Sequence, residues 1–186
     1  MDKENDNANT RFRFKQAFAK SNYVYRASAA QPSFFLLSHY CSSLPSLVKG
    51  ERKGKFNKAL LFSTRRYLCL NELYYLFYND KIKVIPTNIY DLLTPLALAH
   101  WIMGDGAKLN KGLVLCTDSF SIVEVVKLSN VLRIKYNINT TVKGYINNRA
   151  RIYIVPSSMA TLINLVKPHI LDSLGYKLQL HLYINT

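Results

Sequence analysis

The stretch Leu92–Lys108, LLTPLALAHWIMGDGAK, decides how this chain is read. Thr94 followed by Pro95 is a helix start: the Thr hydroxyl can accept from a free first-turn N–H, and Pro, with no N–H to lose, suits the first turn. From Leu96 to Met103 the residues are apolar or small apart from His100, and Gly104-Asp105-Gly106 stops the helix. The acid is oddly placed. A helix C-terminus carries partial negative charge, so a carboxylate there costs a few tenths to about 1 kcal/mol unless a cation lies nearby. The plain alternative is an Asp-Gly turn closing a buried helix, and this stretch alone does not separate the two.

Composition narrows the field. A chain of 186 residues can build one domain or two small ones, and 49% hydrophobic with 12% aromatic residues can bury a real core. Lys and Arg total 25 against 11 acids, for a net charge of +14. That excess implies a polyanionic partner: nucleic acid, or less readily an anionic membrane surface. No apolar run approaches a membrane span, and the polar start MDKENDNANT is not a signal-peptide pattern. Cys41, Cys69 and Cys116 are odd in number and far apart, which suits reduced, packed thiols better than disulfides or zinc. The lean toward Asn, Lys, Tyr, Ile and Phe is that of AT-rich organellar genomes.

In chain order, residues 1–9 read as a solvated, flexible lead-in. Arg11-Phe12-Arg13-Phe14-Lys15 alternates basic and aromatic, the pattern of a strand with one cationic and one apolar face. Such a strand is an ordinary amphipathic edge over a core, and equally a surface to lay on phosphates and base edges. Ser33–Ser42 suits a short helix. Lys49–Lys58, KGERKGKFNK, reads as a basic, Gly-broken loop, by default a solvated hairpin and functionally a phosphate contact through Lys53 and Lys55. Ala59–Thr64 is a short apolar strand, and Leu68–Tyr78 is a helix too apolar to be exposed.

After the opening helix, Gly112–Thr117 is a strand. Ser121 with Glu124 three residues on has the spacing of a capping box, opening a helix over Ile122–Tyr136 with Val125, Leu128 and Leu132 on one face. Asn139–Asn147 and Arg149–Val155 make a hairpin. Ser157 or Ser158 opens a last helix, Met159–Val166, which Pro168 ends. Two halves share this order. Phe62 in a strand is followed by a helix and then Lys83; Ile154 in a strand is followed by a helix and then Lys177, at separations of 21 and 23 residues. The chain therefore reads as a duplicated α+β unit: a lead-in over 1–9, a first half over 10–91 without a matching first helix, and a second half over 92–186.

LAHWIMGDG (Leu98–Gly106), preceded by LTPLA and accompanied by KVIP, GLVLCTDSF and the YKL tail, resembles the second motif of two-motif LAGLIDADG homing endonucleases and group I intron maturases of mitochondrial introns. It keeps Leu98-Ala99 and Asp105-Gly106, and has His100, Trp101 and Met103 where the eponymous pattern has Gly, Leu and Asp. The resemblance implies αββαββα units with saddle-shaped antiparallel sheets related by a pseudo-twofold axis, motif helices paired on that axis and sheets in the DNA major groove. Small residues such as Ala97, Ala99 and Gly104 would allow close helix approach there.

The resemblance also implies a Mg²⁺ site and a basic residue from each half ordering the attacking water. Asp105 falls on the acid position, with Gly104 beside it as a metal ligand, and Lys83 and Lys177 fall on the two basic positions. Chemistry agrees: phosphodiester cleavage needs hard oxygen ligands for Mg²⁺ and charge stabilisation at the attacking and leaving oxygens. The pattern departs in carrying one motif, so the second carboxylate must come from elsewhere, such as a protein partner or a second copy. Asp2, Glu4 and Asp6 are the acids nearest the first motif's expected end.

Three readings follow. One is Mg²⁺-dependent cleavage of double-stranded DNA at a long asymmetric site, given the second carboxylate. The second is a cleavage-deficient, mitochondrial RNA-binding protein, a group I intron maturase or an organellar ribosome-associated protein, that holds a structured RNA. A basic structural module is the third, without a role for the motif. For recognition the candidates are the alternating polar strand positions Arg11, Arg13, Lys15, Lys143, Tyr145, Asn147, Arg149 and Arg151.

Overall fold

The structure, a computed structural model, describes residues 1, 3, 8–20, 24, 40–41, 45–52, 54–146 and 149–179. Contacts divide the chain into two units, Met1–Tyr78 and Asn79–Thr186. The sequence reading joins the halves at Asp91. In the fold Ile89 and Leu93 both belong to the second unit's core, so the segment before the motif helix groups with that helix.

In the first unit, β1 (Arg13–Ala17), β2 (Ser46–Arg52) and β3 (Lys55–Ser63) form an antiparallel sheet in the order β1-β3-β2. The basic–aromatic alternation is realised as expected. Arg13 and Lys15 point outward, while the Phe14 ring lies 5.5 Å from that of Phe62, which packs with Leu60 and Val24. The stretch 49–58 is the hairpin of the default reading, with less loop and more strand than KGERKGKFNK suggests: the ends of β2 and β3 pair in register from Lys49↔Lys58 to Arg52↔Lys55. Backbone pairing holds these polar ends together without an apolar face, and Gly54, at φ +71°, supplies the left-handed turn that a β-carbon would disfavour.

Next, α1 (Cys69–Phe77) also departs from expectation. Tyr74 is its one buried residue, whereas Leu68 and Tyr75 are 73% and 62% exposed: a nine-residue helix apolar on several faces can lay only one of them on a small core. The lead-in is held at points, since Lys3 meets the Tyr75 hydroxyl and the Thr10 N–H donates to Asn71 Oδ1 at 2.8 Å. The expected helix at 33–42 lies almost wholly outside the described residues. At the boundary β4 (Tyr78–Asn79) turns into β5 (Ile82–Lys83) through Asp80 and Lys81, both at positive φ, as a two-residue hairpin loop requires.

In the second unit a short α2 (Ile89–Leu92) leads into α3 (Pro95–Asp105), β6 (Gly106–Leu109), β7 (Gly112–Leu115), α4 (Ile122–Tyr136), β8 (Thr140–Ile146), β9 (Arg149–Ile154) and α5 (Met159–Val166). From α3 onward this is αββαββα, an α+β fold with one antiparallel sheet in the order β6-β7-β9-β8. The strand β6 follows the motif helix with no loop and was not legible in GAKL. One face of the sheet is covered: Leu113, Leu115, Ile152 and Ile154 meet Leu98 and Ile102 of α3, Val125, Leu128 and Leu132 of α4, and Met159 and Leu162 of α5.

The helix boundaries follow their caps. Thr94 Oγ1 accepts from Ala97 N–H at 3.2 Å, with Pro95 behind it. Ser121 and Glu124 form the full capping box, and Asn137 closes α4 in the left-handed conformation. At α5 the expected Ser cap is absent: Ser158 Oγ instead accepts from the Asn139 N–H at 2.9 Å, tying the start of the hairpin to the start of the helix. Among the described residues no helix is long and apolar enough to cross a membrane.

Glu124 does more than cap. Its second carboxylate oxygen accepts from Ile85 N–H at 2.8 Å, and Lys127 donates to the Pro86 carbonyl at 2.8 Å, so the start of α4 grips the connector that precedes the motif helix. Burial pushes the Glu124 carboxyl up, but the N–H groups of Ile85 and Ser121, the Ser121 hydroxyl and the Lys127 charge outweigh it and hold the group below its ordinary value of 4.5. A depressed carboxylate stabilises the fold above the unfolded value and loses that contribution as pH falls through the folded one. Glu124→Ala should therefore lower stability at pH 7 by about 1–2 kcal/mol in urea denaturation. The gap from wild type should close on acidification below pH 4.5.

Candidate nucleic-acid interface and motif-helix site

The end of α3 is built by close approach. Gly106 has an ordinary φ, yet a β-carbon there would sit 2.5 Å from the Ile102 carbonyl oxygen, so the closing Gly of the motif is demanded by contact and not by backbone angle. The Asp105 carbonyl accepts from Cys116 N–H at 3.2 Å, stitching the helix end to the strand after next. Asp105 itself is exposed, and among the described residues its carboxylate has no salt bridge. Half-buried Gly104 precedes it. Their oxygens are hard donors of the kind Mg²⁺ takes, but one carboxylate is half of a site, and no group of three His, Cys, Asp or Glu among the described residues could hold a metal ion.

Lys177 lies at this helix end. Its 3₁₀ segment, Asp172–Leu178, buries the side chain to 4% exposure, and Nζ donates to the carbonyls of Ile102 at 3.0 Å and Met103 at 2.7 Å. These carbonyls stand in the last turn of the helix and carry the negative pole of its dipole, and that of Ile102 also accepts from the Gly106 N–H. The cation that the opening stretch called for is thus supplied by the chain itself. Lys83 is placed differently. It is exposed in β5, with Nζ 5.1 Å from the centre of the Phe120 ring. His100 is half-buried on α3, where burial, and then the charge of His169, hold its imidazole below the usual 6.5.

The uncovered sheet face is cationic. Lys143, Arg149 and Arg151 are exposed on β8 and β9, beside Thr141, Val114 and Tyr153. Lys143 and Arg151 sit opposite each other, a like-charge cross-strand pair that would repel. Each is drawn to a different partner: Lys143 Nζ stands 3.6 Å over the Tyr153 ring, and Arg151 makes a two-pronged ion pair with Asp118, Nε to Oδ1 at 2.7 Å and Nη2 to Oδ2 at 2.6 Å. That hydrogen bonding, with the charges of Arg151 and Arg149, holds the Asp118 carboxyl below its usual range against a smaller push from burial.

In the first unit Lys15, Ala17, Gly50, Asn57 and Ala59 line a hollow of about 490 Å³ on the face that also carries Arg13. Arg11 is half-buried beside the Thr10–Tyr67 bridge. Lys53 and Asn147 lie outside the described residues, and of Lys55 and Tyr145 only the strand backbone is described. Asp118 and Tyr153, which organise the cationic face, were missed. Asp118 lies in the turn between β7 and α4, and only the strand register brings it to Arg151.

The sequence matches the LAGLIDADG DNA endonuclease family over residues 1–162. The chain belongs to that family. It is 39% identical to the cytochrome b mRNA maturase bI2 of Saccharomyces cerevisiae over 91% of its own length and 41% of the relative's. It is 40% identical to the protein of the same name from Debaryomyces hansenii, over 75% of this chain and 54% of that one. The chain thus spans about half the length of the curated relatives it matches. The homing endonuclease I-WcaI, solved bound to its DNA recognition sequence, superposes with a TM-score of 0.83 over 95% of this chain and 78% of that chain, at 28% identity. The LAGLIDADG assignment accounts for the αββαββα order, with α3 as the motif helix.

Lys177→Met should leave the Ile102 and Met103 carbonyls without their charged donor and cost about 2–3 kcal/mol, read as a lowered urea midpoint. Lys83→Met, at an exposed strand position, should stay within about 0.5 kcal/mol of wild type in the same measurement.

Proposed function

We propose that the chain binds double-stranded DNA across its cationic sheet faces and takes part in Mg²⁺-dependent phosphodiester cleavage at a long asymmetric site. The observation that carries this is the exposed Asp105 carboxylate at the point where the motif helix runs straight into β6, the edge of the sheet whose open face holds Lys143, Arg149 and Arg151. Asp105, with the Gly104 carbonyl, would hold the metal. Endonucleases of this family depend on divalent metals in general, and Mg²⁺ is the ion this oxygen set favours. When bound, it would supply Lewis-acid stabilisation of charge on the scissile phosphate. Lys177 fixes the helix end from which the carboxylate projects, and Lys83 is the exposed cation available to steady charge at the reacting water. The second carboxylate comes from outside the described residues, from a further segment, a protein partner or a second copy.

A second reading is favoured by the relatives named mRNA maturases: the same basic faces hold a structured intron RNA, without cleavage, in a mitochondrial setting. The two separate on one substitution. Asp105→Asn should cut Mg²⁺-dependent cleavage of duplex DNA by about a hundredfold or more while leaving duplex affinity within about twofold. Tight, salt-sensitive binding of a group I intron RNA in preference to a long duplex, unchanged by Asp105→Asn and without cleavage by wild type, would establish the RNA reading instead.

A further inference from the structure

We propose that Asp118 positions Arg151 as a base-reading residue, presenting the outer edge of its guanidinium to a guanine. The inference rests on the DNA reading above and names a specificity element within it. A guanidinium carries five N–H donors in one plane. Asp118 takes the Nε and Nη2 side of that plane through two short hydrogen bonds, so the plane is fixed while the Nη1–Nη2 end, with three N–H groups, is left for another acceptor. Both side chains are partly exposed, Arg151 at 44% and Asp118 at 34%, on the uncovered face of the sheet.

Two acceptors fit a paired N–H edge: the O6 and N7 atoms of guanine, and the oxygens of a phosphate. The carboxylate decides between them. Asp118 cancels the long-range charge of Arg151, and a phosphate approaching the far edge would meet an anion a few ångströms behind its target. A neutral base edge meets no such repulsion, and it gains from donors whose direction is already set. Side-chain ordering that a free arginine would undergo on binding, at a cost in affinity, is complete before DNA arrives. The neighbouring charge is organised in the same way: Lys143 faces Arg151 across the strands, and its Nζ is held over the Tyr153 ring. Asp118 is a positioning residue here, and Arg151 makes the contact.

The test is selection from a randomised duplex pool by the full chain and by Asp118→Asn and Arg151→Lys, with affinity for a fixed non-specific duplex measured in parallel. Wild type should enrich a guanine at one position. Asp118→Asn should relax that preference by roughly ten- to hundredfold while binding the non-specific duplex as tightly as wild type or more so, because a negative charge has been removed from a basic face. Arg151→Lys should lose the same base preference, since an ammonium lacks the fork. Protection of the Arg151 Nε–H from solvent exchange in free wild type, lost in Asp118→Asn, reports the pair directly.

Equal tightening of specific and non-specific binding by Asp118→Asn, with the guanine preference intact, would overturn the proposal and make Asp118 a simple electrostatic brake. Loss of affinity by Arg151→Lys that is uniform across sequences would overturn it in favour of a phosphate anchor. Failure of wild type to enrich any duplex, with RNA binding retained, would bring down the DNA reading and this inference with it.

Discussion

The ammonium of Lys177, buried on the carbonyls of Ile102 and Met103, is the interaction on which the motif-helix end depends. Three demands meet at that end. The helix dipole concentrates negative charge there, the chain places Asp105 there as well, and Gly106 must pass close to the Ile102 carbonyl to enter β6 directly. A buried cation offsets the first two without occupying the carboxylate, which stays exposed. A surface cation would not serve as well, because solvent screens it and it could swing onto Asp105 itself. Lys177 comes from the segment Asp172–Leu178, so a segment far along the chain from α3 completes the end of that helix.

Charge management on the open sheet face follows a similar logic. A family that binds polyanions places cations on neighbouring strands, and cross-strand cations repel when no ligand is present. Here the repulsion between Lys143 and Arg151 is relieved within the sheet, by an aromatic face for one and a carboxylate for the other. Both partners also fix orientation. A face both strongly basic and selective, as proposed, would gain from this, since long-range attraction could be carried by residues such as Arg149 while direction is held by the paired ones.

Much of the second unit was legible because its signals are local. Thr94-Pro95, the Ser121–Glu124 box and the apolar periodicity of Val125, Leu128 and Leu132 involve residues within a few turns of one another, and each element formed where it was read. The errors share a cause as well. Strand β6 was not read in GAKL because strand pairing is made by the backbone and by a partner strand, which composition does not describe. The exposed apolar surface of α1 was misjudged because burial depends on how much core is available to cover it.

The sequence by itself determined that this is a basic α+β protein, because helix caps, periodicity and net charge are properties of neighbouring residues and of their sum, and the residues of LAHWIMGDG carried the resemblance to a LAGLIDADG motif helix. It also singled out Asp105 and Lys177, through the motif and through spacing. Only the tertiary structure decided where each sits. Lys177 proved to be a buried partner of the helix end, Lys83 an exposed strand cation, and Asp118 the anchor of Arg151. Burial and pairing are set by which strands lie in register and which segment returns to cover a helix end. Those are relations between residues dozens of positions apart, and no local pattern encodes them.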